Sequence, residues 1–206
     1  MSTTLLNLRR RQNRRPPVPR RVFVFIALLA VGAAGLTFVV VRLPSISVSH
    51  TVPWPVVALA MLLAQLAPVR LNTENHTVDV DLFGIPMVVG AVFTSPADLM
   101  ISVGLSSFVN SLIRRQYPER SVFNVVNMLI GAALARLALA AVLGTAKPEQ
   151  LLGLEAVCLA ILAFEGWTSL GVLGAVSLSS GAPGWPTSGL YLFSWRSPCR
   201  STPSSG

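Results

Sequence analysis

Long stretches without charge alternate with short polar breaks along this chain, and the first stretch is the clearest. Val22 to Val41 holds no charged residue over twenty positions. Coiled as a helix it is roughly 30 Å long, the hydrocarbon thickness of a bilayer. Further apolar stretches lie at 54–69, 82–94, 96–113, 122–143 and 151–178. Each reads as a helix, so the pattern predicts an all-α fold, a polytopic transmembrane bundle of about six spans over residues 22–178. Between the second and third stretches, Thr77-Val78-Asp79-Val80-Asp81-Leu82 alternates polar and apolar positions, which suits an extended segment. Ser95-Pro96-Ala97-Asp98 then supplies a hydroxyl at N-cap, a proline at N1 and a carboxylate at N3, the chemistry of a helix start. Residues 82–113 therefore read as two helices joined by a tight external turn. The alternative is a re-entrant hairpin, because thirteen residues reach only roughly 20 Å. The 54–69 stretch is also short, with Trp54 suited to one interface and Arg70 to the other, so local thinning of the bilayer would have to accommodate it.

The polar flanks fix an orientation. Arg9, Arg10, Arg11, Arg14, Arg15, Arg20 and Arg21 precede the first span, and Arg114, Arg115 and Arg120 fall between the fourth and fifth. By the positive-inside rule both groups belong in the cytoplasm, and four crossings from a cytoplasmic start return the chain to that side. The fifth and sixth spans, joined by a Lys147-Pro148-Glu149 turn outside, leave both termini in the cytoplasm. The expected location is the cell membrane, inner or plasma. Arg20-Arg21-Val22-Phe23-Val24 faintly resembles a twin-arginine signal, but the apolar stretch exceeds a signal-peptide core and no A-x-A site closes it. The first span reads as an uncleaved anchor.

Composition changes this picture little. Mean hydropathy is +0.65 with 52% hydrophobic residues, and soluble domains already run at roughly 45–50% apolar, so it is the clustering that carries the signal. Net charge is +8, and Lys147 is the one basic residue that is not arginine. Residues 1–21 form a basic, proline-containing arm that reads as disordered, and placed before a span it serves topology, not nucleic-acid binding. From Ser179 the chain becomes rich in Ser, Gly and Pro and loses all acidic residues, which reads as a disordered tail. Cys158 and Cys199 form no ligand spacing or disulfide framework, and His50 and His76 are isolated. No Walker A, H-E-x-x-H or G-x-S-x-G motif occurs, so no catalytic, cofactor-binding or metal site is expected and the chain reads as non-enzymatic.

Ionisable residues inside spans are the candidate site. Arg136 lies within the fifth span and Glu155 within the sixth, about eleven and eight residues from Lys147. Their depths differ by roughly 4–5 Å, so an antiparallel hairpin could pair them. Each costs about 2.5–3.5 kcal/mol in lipid, which favours an ion pair. That pair would be either a ligand or proton site or a structural salt bridge, with Arg136 alternatively snorkelling outward. Asn124 and Asn127 share a face suited to bridging helices. Gly131 with Ala132, Ala133 and Ala135 suits close helix contact. Glu165, beside Gly166 and Trp167, reads as a marker of the cytoplasmic interface.

One resemblance rests on His76-Thr77-Val78-Asp79-Val80-Asp81-Leu82, Pro86, Ser95-Pro96, Arg114-Arg115 and Phe123-Asn124. This block resembles the N-terminal multi-helix membrane region of actinobacterial GGDEF or EAL proteins of cyclic di-GMP signalling, over roughly residues 20–178. The resemblance implies a sensor or anchor module whose helices pass a signal to a cytoplasmic enzyme. No Gly-Gly-Asp-Glu-Phe or Glu-Ala-Leu sequence occurs, so no catalytic residue carries over. The change after Ser180 reads as truncation or a frame shift, which the downstream DNA in three frames would test.

The expected function is thus an integral membrane sensor or anchor without its output domain. Its partners are the lipid bilayer and either a cytoplasmic signalling domain or further copies of the chain, not nucleic acid. The alternatives are a small transporter or permease component, with Arg136 and Glu155 lining its path, and a non-functional fragment.

Overall fold

A computed structural model of the protein describes residues 20–44, 51–67, 69–72, 77–80, 82–143 and 152–180. The expected disordered arm before Arg20 and tail after Ser180 lie outside these residues, as do His50, His76, Lys147 and Cys199. Among the described residues the chain forms helices α1 (Arg20–Val41), α2 (Trp54–Leu66), α3 (Gly84–Phe93), α4 (Pro96–Ile113), α5 (Pro118–Leu143) and α6 (Leu152–Ser180). Each overlaps one of the apolar stretches. Between α2 and α3, strands β1 (Val69–Asn72) and β2 (Thr77–Val80) pair antiparallel, with Arg70 opposite Asp79. The extended segment expected at 77–82 is thus half of a small hairpin appended to a helical bundle.

Local chemistry sets the helix ends. Ser95 caps α4 as its sequence implies: its hydroxyl oxygen accepts from the Asp98 N–H at 3.1 Å and its O–H donates to Asp98 Oδ2 at 2.8 Å. Expected to run to Val69, α2 ends instead at Leu66, because Ala67 precedes Pro68 and is pushed out of the α region. The start of α5 falls a turn earlier than expected, where Pro118 and Glu119 supply an N-terminal proline and acid.

Cross-helix contacts give the directions. Phe25 and Phe123 rings lie 6.4 Å apart, so α1 and α5 begin at the same end. Gly174, late in α6, lies against the Phe25 ring at that end, and Thr37, late in α1, reaches Met100, early in α4, at the other. Ser102 Oγ donates to the Trp54 carbonyl at 3.0 Å and an Arg114 guanidinium N–H to the Gln65 carbonyl at 2.6 Å, so α2 runs alongside α4 in the same sense. Successive helices therefore alternate in direction. The ring of Phe83, just before α3, stacks on Phe164 at 5.4 Å, and Phe164 also faces Gly131. Both Phe164 and Gly131 sit near the midpoints of their helices. Consequently α3 begins halfway along the bundle and runs to one end only.

The core gathers Val40, Met61, Phe83, Met87, Leu99, Val103, Leu139 and Phe164. Its outside is apolar too: Leu28, Val31, Phe38, Leu63, Ile85, Leu162 and Leu170 are all exposed. Among the described residues four helices, α1, α4, α5 and α6, are long and apolar enough to cross a membrane. At ten and thirteen residues, α3 and α2 reach only roughly 15 and 20 Å. Together they flank an apolar groove of about 440 Å³ lined by residues such as Val56, Ala60, Ala64, Ile85 and Val89.

Candidate functional site

Arg136 is the largest fully buried side chain among the described residues, with no exposed surface. One guanidinium nitrogen donates to the Ala91 carbonyl at 2.8 Å and the other to the Pro44 carbonyl at 3.1 Å. Ala91 lies in the last turn of α3, where helical carbonyls lack partners and the helix dipole is negative. A positive group there is doubly favoured. The same helix end is completed by Thr94, whose N–H and hydroxyl both donate to the Gly90 carbonyl, and by the Val52 N–H, which donates to the Phe93 carbonyl. Arg136 thereby ties α5 to the end of α3 and to the segment following α1.

Glu155 is not part of this arrangement. It is exposed on α6 and is not a partner of Arg136, so the ion pair expected from depth matching is not formed. Similar distance from the joining turn is not sufficient, because Arg136 is buried within the bundle and Glu155 is exposed on its outside. Arg136 does not snorkel outward either; backbone carbonyls take the place of a carboxylate. Its Nε is buried without a hydrogen-bond partner among the described residues.

The remaining polar groups are distributed along seams. Asn127 is buried, and its Nδ2 donates to the Thr168 carbonyl of α6 at 3.3 Å, while the missing side chain of Gly171 leaves the space its Oδ1 occupies. Asn124 instead donates to Gln116 Oε1 at 2.8 Å, within the turn that opens α5. Glu165 falls at the middle of α6, beside the start of α3, where a β-carbon on Gly84 would lie 3.5 Å from its Oε1. The expectation that it marks the cytoplasmic interface is therefore corrected: Gly166-Trp167 has the look of an interfacial pair, but α6 continues to Ser180, about four turns beyond.

A second seam has no counterpart among the sequence-based expectations. Ser102, Ser106, Ser107 and Ser111 of α4 and Gln65 of α2 are all buried. Ser106 approaches Met61 Sδ at 4.0 Å, and Ser111 donates to the Ser107 carbonyl at 2.9 Å. Gln65 Nε2 and Ser107 Oγ have no partner among the described residues. The signal is present in the sequence as serines spaced at four and five residues through one apolar helix, a polar stripe that only a neighbouring helix would cover.

Arginines mark one end. Arg20 and Arg21 open α1, Arg114 and Arg115 close α4, and Arg120 lies in the first turn of α5; all are exposed, and the helix directions bring them to one end of the bundle. Arg9, Arg10, Arg11, Arg14 and Arg15 lie outside the described residues. Arg115 occupies the left-handed region at φ 49°, where its N–H reaches the Leu112 carbonyl and the Gln116 N–H reaches the Ser111 carbonyl. That is a Schellman ending with arginine where glycine is usual. Among the described residues no three His, Cys, Asp or Glu side chains come together to hold a metal ion. No protein-family model matches the chain, and no curated protein and no solved structure matches it.

Proposed function

We propose that this chain is a non-enzymatic, multi-pass anchor and input module of the cell membrane, crossing six times with its arginine-rich end in the cytoplasm. The carrying observation is Arg136. A charged group buried in an apolar bundle is costly and marks either a ligand path or a structural tie; here its two terminal nitrogens donate to backbone carbonyls of two other segments. Its chemistry serves to hold helix ends together. The gathering of Arg20, Arg21, Arg114, Arg115 and Arg120 at one end supports the orientation. The resemblance to cyclic di-GMP signalling proteins supplies the partner class, a cytoplasmic cyclase or phosphodiesterase.

Single-cysteine labelling in intact cells tests the placement, with Cys158 and Cys199 changed to serine. Thr51→Cys should react with a membrane-impermeant maleimide from outside, and Gln116→Cys only after permeabilisation; the reverse pattern would sink the topology. Co-purification with a cyclic di-GMP enzyme is the expected mark of the module. A transporter is the second reading, favoured by one observation: α3 begins halfway along the bundle, and broken helices often frame substrate sites. Reconstituted uptake of a solute, abolished by Arg136→Leu in protein that still inserts, would establish that reading instead.

A further inference from the structure

The groove between α2 and α3 has a closed end and an open one. At the closed end, away from the arginines, the two helices touch. A β-carbon on Gly90 would meet Val57 Cγ1 at 2.7 Å, and the Val52 N–H donates to the Phe93 carbonyl at 3.0 Å. Toward the arginine end α2 continues through Ala64 and Ala67, while α3 has already begun halfway along the bundle and runs the other way. Ala60, Ala64 and Ala67 follow one another at steps of four and three, so one face of α2 stays shallow along its length. The volume of about 440 Å³ falls within the roughly 300–1,000 Å³ of small-molecule sites, yet none of the lining side chains is polar. Such a lining offers nothing to a solute with hydrogen bonds to satisfy, and it suits a hydrocarbon chain.

Arg114 stands at the open end. Its guanidinium donates at 2.6 Å to the carbonyl of Gln65, in the last turn of α2 beside Ala64, and its Nε donates to Asn110 Oδ1 at 3.0 Å. These two bonds hold the charged head over the end of α2 while the side chain stays exposed, with further N–H groups open to an outside acceptor. A head already held in place loses less freedom when a ligand arrives. We infer that the groove and Arg114 together bind one anionic phospholipid of the cytoplasmic leaflet, an acyl chain lying between α2 and α3 and the phosphate on the guanidinium. Charge complementarity selects this occupant. Guanidinium matches phosphate in shape as well as sign, whereas a zwitterionic lipid carries its own cation beside the phosphate and gains less from a second one. A lipid of that leaflet also presents its parts in the order α2 requires, head at the arginine end and chain toward mid-membrane. The inference rests on the membrane placement proposed above, with the arginines in the cytoplasm.

Native mass spectrometry of the full chain in detergent, titrated with dioleoylphosphatidylglycerol or dioleoylphosphatidylcholine, tests this. The first phosphatidylglycerol should be held about fivefold more tightly than phosphatidylcholine. Arg114→Gln should remove that preference. Ala60→Phe, whose ring would enter the groove from an exposed position, should weaken retention of both lipids. Arg21→Gln, at the same end but on α1, should change neither. If Arg114→Gln fails to fold, Ala60→Phe still decides, because it leaves the bundle interior untouched. Equal retention of the two lipids overturns the inference, as does retention indifferent to Ala60→Phe. A preference that Arg21→Gln removes as fully as Arg114→Gln would mean a diffuse basic surface and overturns it too. Inorganic phosphate that raises the melting temperature as much as phosphatidylglycerol would assign Arg114 to a free anion instead. Recovery of the chain from cells in the aqueous fraction without detergent would defeat the membrane placement itself, an outcome separate from any lipid preference.

Discussion

At the scale of single residues, Arg136 shows how a bundle can bury a cation without a carboxylate. Two carbonyls from different segments receive it, one in the last turn of a helix and one in a loop. Removing the side chain leaves both without donors and opens a cavity. Arg136→Leu should therefore destabilise the protein by about 2–4 kcal/mol, read as a lower melting temperature in detergent. Glu155→Gln should change stability little, and the double variant should show no coupling between the two sites; a coupling above about 1 kcal/mol would mean that the ion pair forms after all. The sequence makes Arg136 visible as an anomaly but not its partners, since carbonyls exist at every position and only the packing of α3 selects Ala91. Arg115 teaches the complementary lesson. An arginine in left-handed backbone carries strain that glycine would avoid, and it sits in the exposed turn between α4 and α5.

At the scale of elements, the helices are legible in the sequence because their boundaries are chemical. Ser95-Pro96 announces a start that the expectation took, whereas Pro118-Glu119 and Ala67-Pro68 carry boundary chemistry that the apolar pattern at 122–143 and 54–69 overrode. The faces are not legible. A helix that is apolar on one side and polar on the other shows which side meets water, but helices apolar on every side give no such contrast. Hence Glu155 and Arg136 lie at similar distances from the joining turn in sequence yet differ in direction, and the serine seam of α4 emerges only once α2 is packed against it. Glycines locate the contacts that periodicity hides. A β-carbon at Gly131 would lie 2.9 Å from the Phe164 ring, which is buried and stacked on Phe83 and has little room to yield. Gly131→Ala should cost about 1–3 kcal/mol by forcing α5 and α6 apart. The same change at Gly32, where nothing lies within 4 Å, should be neutral or stabilising by up to about 1 kcal/mol. Thermal unfolding of the two variants side by side checks the contrast; equal losses would mean that helix propensity, not contact, governs both.

At the scale of the whole molecule, α5 forms the axis, half buried, while α1 is 17% buried and lies against its side. The chain's apolar height is uneven around that axis. On the α1 side a full span of 22 residues faces outward, roughly 33 Å tall; on the α2 and α3 flank the apolar helices reach only roughly 15–20 Å before the polar hairpin begins. A membrane meeting both sides must be thick along one edge and pinched along the other. Stability in nanodiscs should then fall by a fraction of a kcal/mol for each ångström of added lipid thickness, with the optimum at chains shorter than those best suited to α1 alone. A flat dependence would show that the hairpin side does not feel the hydrocarbon edge. With one tall side and one short side, the molecule is a wedge in the plane of the bilayer. It should favour the seams where thick and thin membrane adjoin, and its short helices would decide where in the membrane it resides.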